Sequence, residues 1–176
     1  SEAYAAAYFG TEERRAPLEC DAVTHSPYLG RDTIEPYMPH LLSGKGMFML
    51  VKTSNPSSED FQDLLVGDIA LAEKVASKVA LWGEDCVGAS GFSSLGMVVG
   101  ATFPEAAQVI RRIAPRCYLL VPGLETQGGQ ISDAACFANK DGGGAIYNFA
   151  RAIIYTPDPA EAAERYRVAL NEALAS

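Results

Sequence analysis

Short apolar runs recur along the chain, and polar or amphipathic stretches separate them. Five of these runs read as strands. They are Asp21-Ala22-Val23-Thr24, Met47-Phe48-Met49-Leu50-Val51, Met97-Val98-Val99-Gly100, Cys117-Tyr118-Leu119-Leu120-Val121 and Ala145-Ile146-Tyr147. Nearly continuous apolarity, without alternation, is the mark of a parallel strand buried on both faces. Between the runs the period changes. From Asp60 to Leu81, the residues Phe61, Leu64, Leu65, Leu71, Val75 and Val79 recur mostly three and four apart, which predicts one amphipathic helix. A second helix is predicted from Glu105 to Ile113, behind Pro104, and a third from Pro159 to Ala175. Ser1 to Tyr8 reads as part of a helix with only a weak cap. Gly88 to Gly96 admits two readings, a short hairpin or a loop before the third strand.

The alternation is βαβα, so the sheet should be parallel with right-handed crossovers. Two architectures fit the count. A (β/α)8 barrel takes about 250 residues, or roughly 30 per unit, so five units need about 150. A doubly wound five-stranded sheet fits the length equally well. Its phosphate fingerprint is a glycine turn after the first strand, but here that strand leads to His25-Ser26-Pro27-Tyr28. The segments suited to an anion lie at the far end of the chain, which favours a barrel.

At 176 residues the chain is one domain, spanning 1–176, or a large piece of one. A net charge of -8 argues against nucleic-acid binding, which needs clustered Lys and Arg. The pairs Arg14-Arg15 and Arg111-Arg112 read as solvated helix faces. No leader and no long apolar run is visible, so no membrane partner is expected. Cys20, Cys86, Cys117 and Cys136 form no C-x-x-C pair, and the two histidines stand in no metal-binding frame. A reduced, cytoplasmic protein without metal or cofactor is the expectation.

Candidate chemistry gathers after the strands. In Leu119 to Gly129, an apolar run opens into Gln127-Gly128-Gly129. Glycines there allow close backbone approach, and successive N–H groups can form an anion nest. A helix expected from about Ser132 would add its N-terminal partial charge. An ordinary glycine turn explains the same residues. Arg151 directly follows the last strand, where a guanidinium can fork onto a phosphate. A cation is disfavoured at a helix start, so an anion nearby would explain it. Thr102 either reads a polar ring edge or caps the helix beginning at Pro104. Thr53, in Thr53-Ser54-Asn55-Pro56, suits a turn. His25 and Asp21 read as structural. No Ser-His-Asp or Cys-His arrangement is present, and Lys52 is the only lysine near a strand end.

Several segments resemble orotidine 5′-phosphate decarboxylase of the second, mainly bacterial type. They are Tyr4-Ala5-Ala6-Ala7-Tyr8-Phe9-Gly10, Asp21 to Thr24, Pro27-Tyr28-Leu29-Gly30, Lys52 to Pro56, Val98 to Thr102, Val121-Pro122-Gly123, Gln127-Gly128-Gly129 and the strand ending at Arg151. They run in order over the whole chain. The resemblance implies a (β/α)8 barrel, of which this chain supplies about strands 4 to 8 with their helices. It implies a homodimer that decarboxylates orotidine 5′-phosphate to uridine 5′-phosphate without metal or organic cofactor. Gln127 and Arg151 would contact the phosphate, helped by backbone near Gly128 and Ala150. Thr102 would read the pyrimidine, and Thr53 would lie near ribose or base.

The family's catalytic Asp-x-Lys-x-x-Asp array, at the end of the third strand, has no counterpart here. The resemblance therefore leaves no catalytic residue in these 176 and predicts that they are inactive alone. Glu125-Thr126 and Phe149-Ala150 also replace small residues of the family pattern. Five barrel strands by themselves would have two open edges and an uncovered apolar interior. A missing N-terminal segment is expected to complete the barrel. Two alternatives stand beside this reading: a non-catalytic half-barrel that binds a nucleotide phosphate, and another phosphate-binding barrel lyase.

Overall fold

The computed structural model describes residues 1–11 and 13–175. Its helices and strands are α1 (Glu2–Phe9), β1 (Ala22–His25), α2 (Met38–Leu42), β2 (Gly46–Lys52), α3 (Glu59–Gln62), β3 (Leu65–Val66), β4 (Ile69–Ala70), α4 (Leu71–Trp82), β5 (Ser93–Val99), α5 (Pro104–Ile113), β6 (Cys117–Val121), β7 (Ala145–Tyr147), α6 (Arg151–Ile154) and α7 (Pro159–Ala175). Five strands form one sheet in the order β1-β2-β5-β6-β7, and every pairing is parallel. Each strand of that sheet lies beside the next one in the chain. A doubly wound sheet reverses direction at a switch point. This sheet never reverses, so its architecture is that of a partial (β/α)8 barrel.

The two faces of the sheet are unequal. Met49, Met97 and Leu119 occupy one row in register and are 0% exposed, beneath the helices. That layer includes Ala72, Ala76 and Val79 of α4 and Ala107 and Ile110 of α5. One residue further along each strand, Leu50, Val98, Leu120 and Ile146 form the row on the opposite face. Its outer members Leu50 and Ile146 are 37% and 43% exposed. Parallel sheets are normally covered on both faces. The open row matches the one that would face a barrel axis.

Three predicted elements take a different form. The single helix over 60–81 is broken: α3 ends at Gln62, a two-residue hairpin intervenes, and α4 begins at Leu71. Gly67, at φ 68°, makes the hairpin turn with Asp68, which no continuous helix can accommodate. Phe61, Leu64 and Leu65 are accordingly exposed. The third strand begins at Ser93, earlier than its apolar run implied, and Val87 bridges back to Ser93 in an antiparallel step. Gly88 to Phe92 is thus both a tight hairpin and the lead-in to β5. The helix expected from Ser132 is a 3-10 turn over Ile131–Cys136.

Arg111 is not on a solvated face. It is 7% exposed and directs all five guanidinium N–H groups at carbonyls. Nε and Nη2 donate to Phe137 O (3.0 and 2.8 Å), Nη2 to Gly144 O (2.7 Å), and Nη1 to Cys117 O (2.7 Å) and Ala114 O (3.3 Å). Burial lowers its pKa from the ordinary value. One side chain therefore ties the starts of β6 and β7 to the segment at Phe137. The other arginine pair is solvent-exposed as expected, with Arg15 in an ion pair with Glu19, but it lies in an irregular segment after α1 and not on a helix face.

Candidate active site

The loops after β2, β5 and β6 meet at the C-terminal ends of the strands, where barrel enzymes build their sites. Ser54 is the hub. A Cβ on Gly100 would lie 2.7 Å from Ser54 N and Cα, and one on Gly123, which has φ 95°, would lie 3.0 Å from Ser54 Cβ. Only glycine permits this approach of the β5 and β6 ends to the β2 turn. Backbone bonds fix the same junction: Gly100 N donates to Lys52 O (2.7 Å), and Ala101 N donates to Pro122 O (2.8 Å).

Ser54 Oγ donates to Gln127 Oε1 at 2.7 Å, joining two loops 73 residues apart. The bond orients the amide. Its oxygen is engaged, so its NH2 remains to donate to a ligand. Gln127 and Gly128 are solvent-exposed, and Gly128 has φ 96°. The backbone N–H groups of Gly128 and Gly129 differ from the anion nest the sequence suggested. They donate within the turn, to Glu125 O (3.3 Å) and Gly123 O (3.2 Å). Glu125 is exposed at φ 61°, a strained conformation for a residue with a Cβ.

Thr102 separates the two roles the sequence allowed it. Phe103, not Thr102, is the N-cap of α5, and no side-chain cap bond is made. The Thr102 Oγ1 is buried and has no hydrogen-bond partner. Leaving a buried hydroxyl unpaired costs about 1–3 kcal/mol, so such a group calls for an explanation.

Thr53 lies in the same junction with its hydroxyl already engaged. Oγ1 donates to Asn55 Oδ1 (2.7 Å) and accepts from Gln62 Nε2 (2.9 Å), while Thr53 N donates to Gln62 Oε1 (2.9 Å). Gln62 thus closes the 53–62 turn. Lys52, noted in the sequence only for its place, is 1% exposed and donates to Asp63 Oδ1 at 2.7 Å.

Arg151 stands at the first position of α6. It is exposed, and its side chain makes no hydrogen bond or ion pair among the described residues. Strand β7 neighbours β6, and Asn148 N donates to Val121 O (3.0 Å), so the Arg151 and Gln127 loops leave adjacent strands. Phe149, which replaces a small residue of the family pattern, stacks on Tyr166 of α7 with ring centroids 4.3 Å apart. That contact anchors the turn before Arg151. His25 Nε2 lies 3.3 Å from Thr33 Oγ1 and its ring packs on Tyr37, while Asp21 pairs with Lys45 at 3.5 Å. The His25 ring is thus engaged in packing, whereas the Asp21 carboxylate is fully exposed. Among the described residues, no cluster of His, Cys, Asp or Glu could hold a metal ion, and no helix is long and apolar enough to cross a membrane.

Comparison with known proteins gives consistent results. The family model described as orotidine 5′-phosphate decarboxylase / HUMPS family matches residues 2–166. The chain is 52% identical over 139 residues to an orotidine 5′-phosphate decarboxylase of Caldicellulosiruptor bescii, covering 78% of this chain and 46% of the relative. It is 40% identical over 172 residues to the Rhodopirellula baltica protein of the same name, covering 97% of this chain and 56% of the relative. Among solved structures, Leishmania donovani OMP decarboxylase superposes with a TM-score of 0.83 at 33% identity, covering 99% of this chain and 63% of that one. The chain spans about half the length of the curated relatives it matches.

Proposed function

Because the chain belongs to the orotidine 5′-phosphate decarboxylase / HUMPS family, we propose that it is the phosphate- and pyrimidine-binding portion of an enzyme converting orotidine 5′-phosphate to uridine 5′-phosphate in pyrimidine biosynthesis. The observation that carries this reading is the buried, unpartnered Thr102 hydroxyl, set in the loop cluster that Ser54 and Gln127 close. That hydroxyl pairs with the pyrimidine edge. The free amide N–H groups of Gln127 and the guanidinium of Arg151 take the phosphate, with Gly128 admitting it close to the backbone. Thr53 shapes the ribose side through its turn.

The reaction breaks the bond between the ring and its carboxylate. Carbon dioxide leaves, the electron pair stays on the ring carbon, and a proton fills it. The groups that surround the carboxylate and deliver that proton belong to an Asp and Lys array outside these 176 residues. The chain's own contribution is to hold both ends of the nucleotide in a fixed geometry, so that phosphate binding far from the reacting bond helps close the site. Three N-terminal strands complete the barrel beside β1 and β7 and cover the open row at Leu50 and Ile146. The enzyme works as a cytoplasmic homodimer without metal or organic cofactor, and the 176 residues alone are inactive.

The test is turnover of orotidine 5′-phosphate by the full-length gene product, followed by absorbance, with its intact mass measured under denaturing conditions. Turnover is expected, with uridine 5′-phosphate competing far more strongly than pentose phosphates. A single 18.7 kDa species that binds uridine 5′-phosphate without turning over substrate would replace the enzyme with a nucleotide-binding half-barrel. Competition by pentose phosphates alone would point to a different barrel lyase.

A further inference from the structure

The end of β2 departs from strand alternation. Alternation would aim Lys52 with Phe48 and Leu50 at the open face of the sheet. A register shift between Leu50 and Lys52 pairs Lys52 with Val99 instead, and Val99 is fully buried in the core beneath the helices. Bulges re-aim side chains in this way, often beside functional sites. The ammonium is carried into the interior, where a charge is tolerated only if it is paired and hydrogen-bonded.

Its partners link two segments of the candidate site. Lys52 Nζ donates to Asp63 Oδ1 (2.7 Å) and Ser58 Oγ (3.4 Å), which flank α3. It also lies 4.1 Å from the ring centroid of Phe103. The first pair fixes the far side of the turn that Gln62 closes on Thr53 and that presents Ser54 to Gln127. Phe103 is the residue after the unpartnered Thr102. An apolar side chain of similar length would fill the space without desolvating a charge. What the ammonium adds is direction, since a charged hydrogen bond and a cation over a ring face both depend on geometry.

We infer that Lys52 is a positioning residue for base recognition. It touches no substrate. It clamps the β2 turn to the Thr102-Phe103 step, so that the Thr102 hydroxyl is held where the pyrimidine edge arrives. The assignment rests on the reading of Thr102 given above.

The experiment measures the affinities of the full-length gene product for uridine 5′-phosphate and for ribose 5-phosphate by calorimetry, with Lys52→Met as the main variant. Uridine 5′-phosphate should bind about tenfold more weakly, the scale of one lost hydrogen bond. Ribose 5-phosphate, which lacks the base, should change by less than about twofold. Lys52→Arg should recover most of the loss, because a guanidinium can both pair with Asp63 and stack on Phe103. Equal weakening of both ligands, or of neither, would overturn the assignment. Should Lys52→Met fail to fold, Phe103→Leu and Asp63→Asn carry the same test: a selective loss supports the clamp, and an equal or absent loss removes it. Thr102→Val run in parallel separates the two levels. If it preserves the preference for uridine 5′-phosphate, the reading of Thr102 is wrong. If it abolishes that preference while Lys52→Met leaves it intact, only the Lys52 assignment falls.

Discussion

Arg111→Met removes five charge-assisted hydrogen bonds while keeping an unbranched side chain in the same cavity. Bonds of that kind contribute about 1.5–3 kcal/mol each. Their sum overstates the effect, because burying the guanidinium itself costs several kcal/mol that the variant recovers. What the variant leaves behind matters more. Gly144 O keeps a bond from Leu119 N and Ala114 O keeps one from Cys117 N, whereas Phe137 O loses both of its Arg111 donors and Cys117 O loses its one. Breaking a buried charged interaction by removing one partner typically costs about 3–5 kcal/mol, and the two carbonyls with second donors put this case near 3 kcal/mol. For a chain of this size that lowers the thermal midpoint by about 6–12 °C. Thermal and urea unfolding of the two proteins side by side measure it. Arg111→Lys, with three donors in place of five, should lose about half as much. A midpoint for Arg111→Met within about 1 °C of the parent would refute the clamp, and with it the claim that Arg111 fixes the starts of β6 and β7.

Three further outcomes are expected. Thr102→Val removes an unpaired buried hydroxyl, so it should raise stability by about 1 kcal/mol in urea titration while weakening uridine 5′-phosphate binding; opposite signs are the signature of a group kept for a ligand. Arg151→Ala should raise KM for orotidine 5′-phosphate by about 10- to 100-fold with the melting temperature unchanged, because the exposed side chain makes no bond among the described residues. Burial pushes the Cys117 thiol from its ordinary 9.0 up to about 11, so the unfolded chain loses that proton first. The stability Cys117 contributes is complete below pH 9.0, falls as pH rises towards about 11, and should flatten in Cys117→Ala, as alkaline denaturation would register.

Much of this architecture is legible in the chain before any coordinates. The five apolar runs are five neighbouring parallel strands, because runs this short, bounded by turn residues and separated by helical patterns, suit buried parallel strands better than helices. The same argument misjudged 60–81, where Phe61, Leu64 and Leu65 mimic a helical stripe although they are exposed around a hairpin. Val66-Gly67-Asp68-Ile69 held the contrary signal, a two-residue turn between β-branched residues. Arg111 was legible too. Ala107, Ile110 and Ala114 mark its helix face as the buried one, and residue type alone hid that placement. Thr102 stands out in the sequence as a polar residue following an apolar run. Its lack of a partner depends on how α5 begins, which no local pattern determines. The aim of Lys52 follows from a bulge, and bulges arise from pairing with a distant strand, beyond the reach of local sequence.

The sheet order has a consequence for how the protein is made. Ala22 pairs with Gly46, Met47 with Leu95, Met97 with Leu119 and Leu119 with Ala145, always with the next strand of this five-stranded sheet to emerge. Contacts of short sequence separation carry a small loop-closure penalty and form quickly. Each unit can therefore dock on its predecessor as it leaves the ribosome, without waiting for residues from the far end of the chain. A substitution that weakens β2 would then trouble synthesis early, by withholding the template on which β5 and everything after it is laid down.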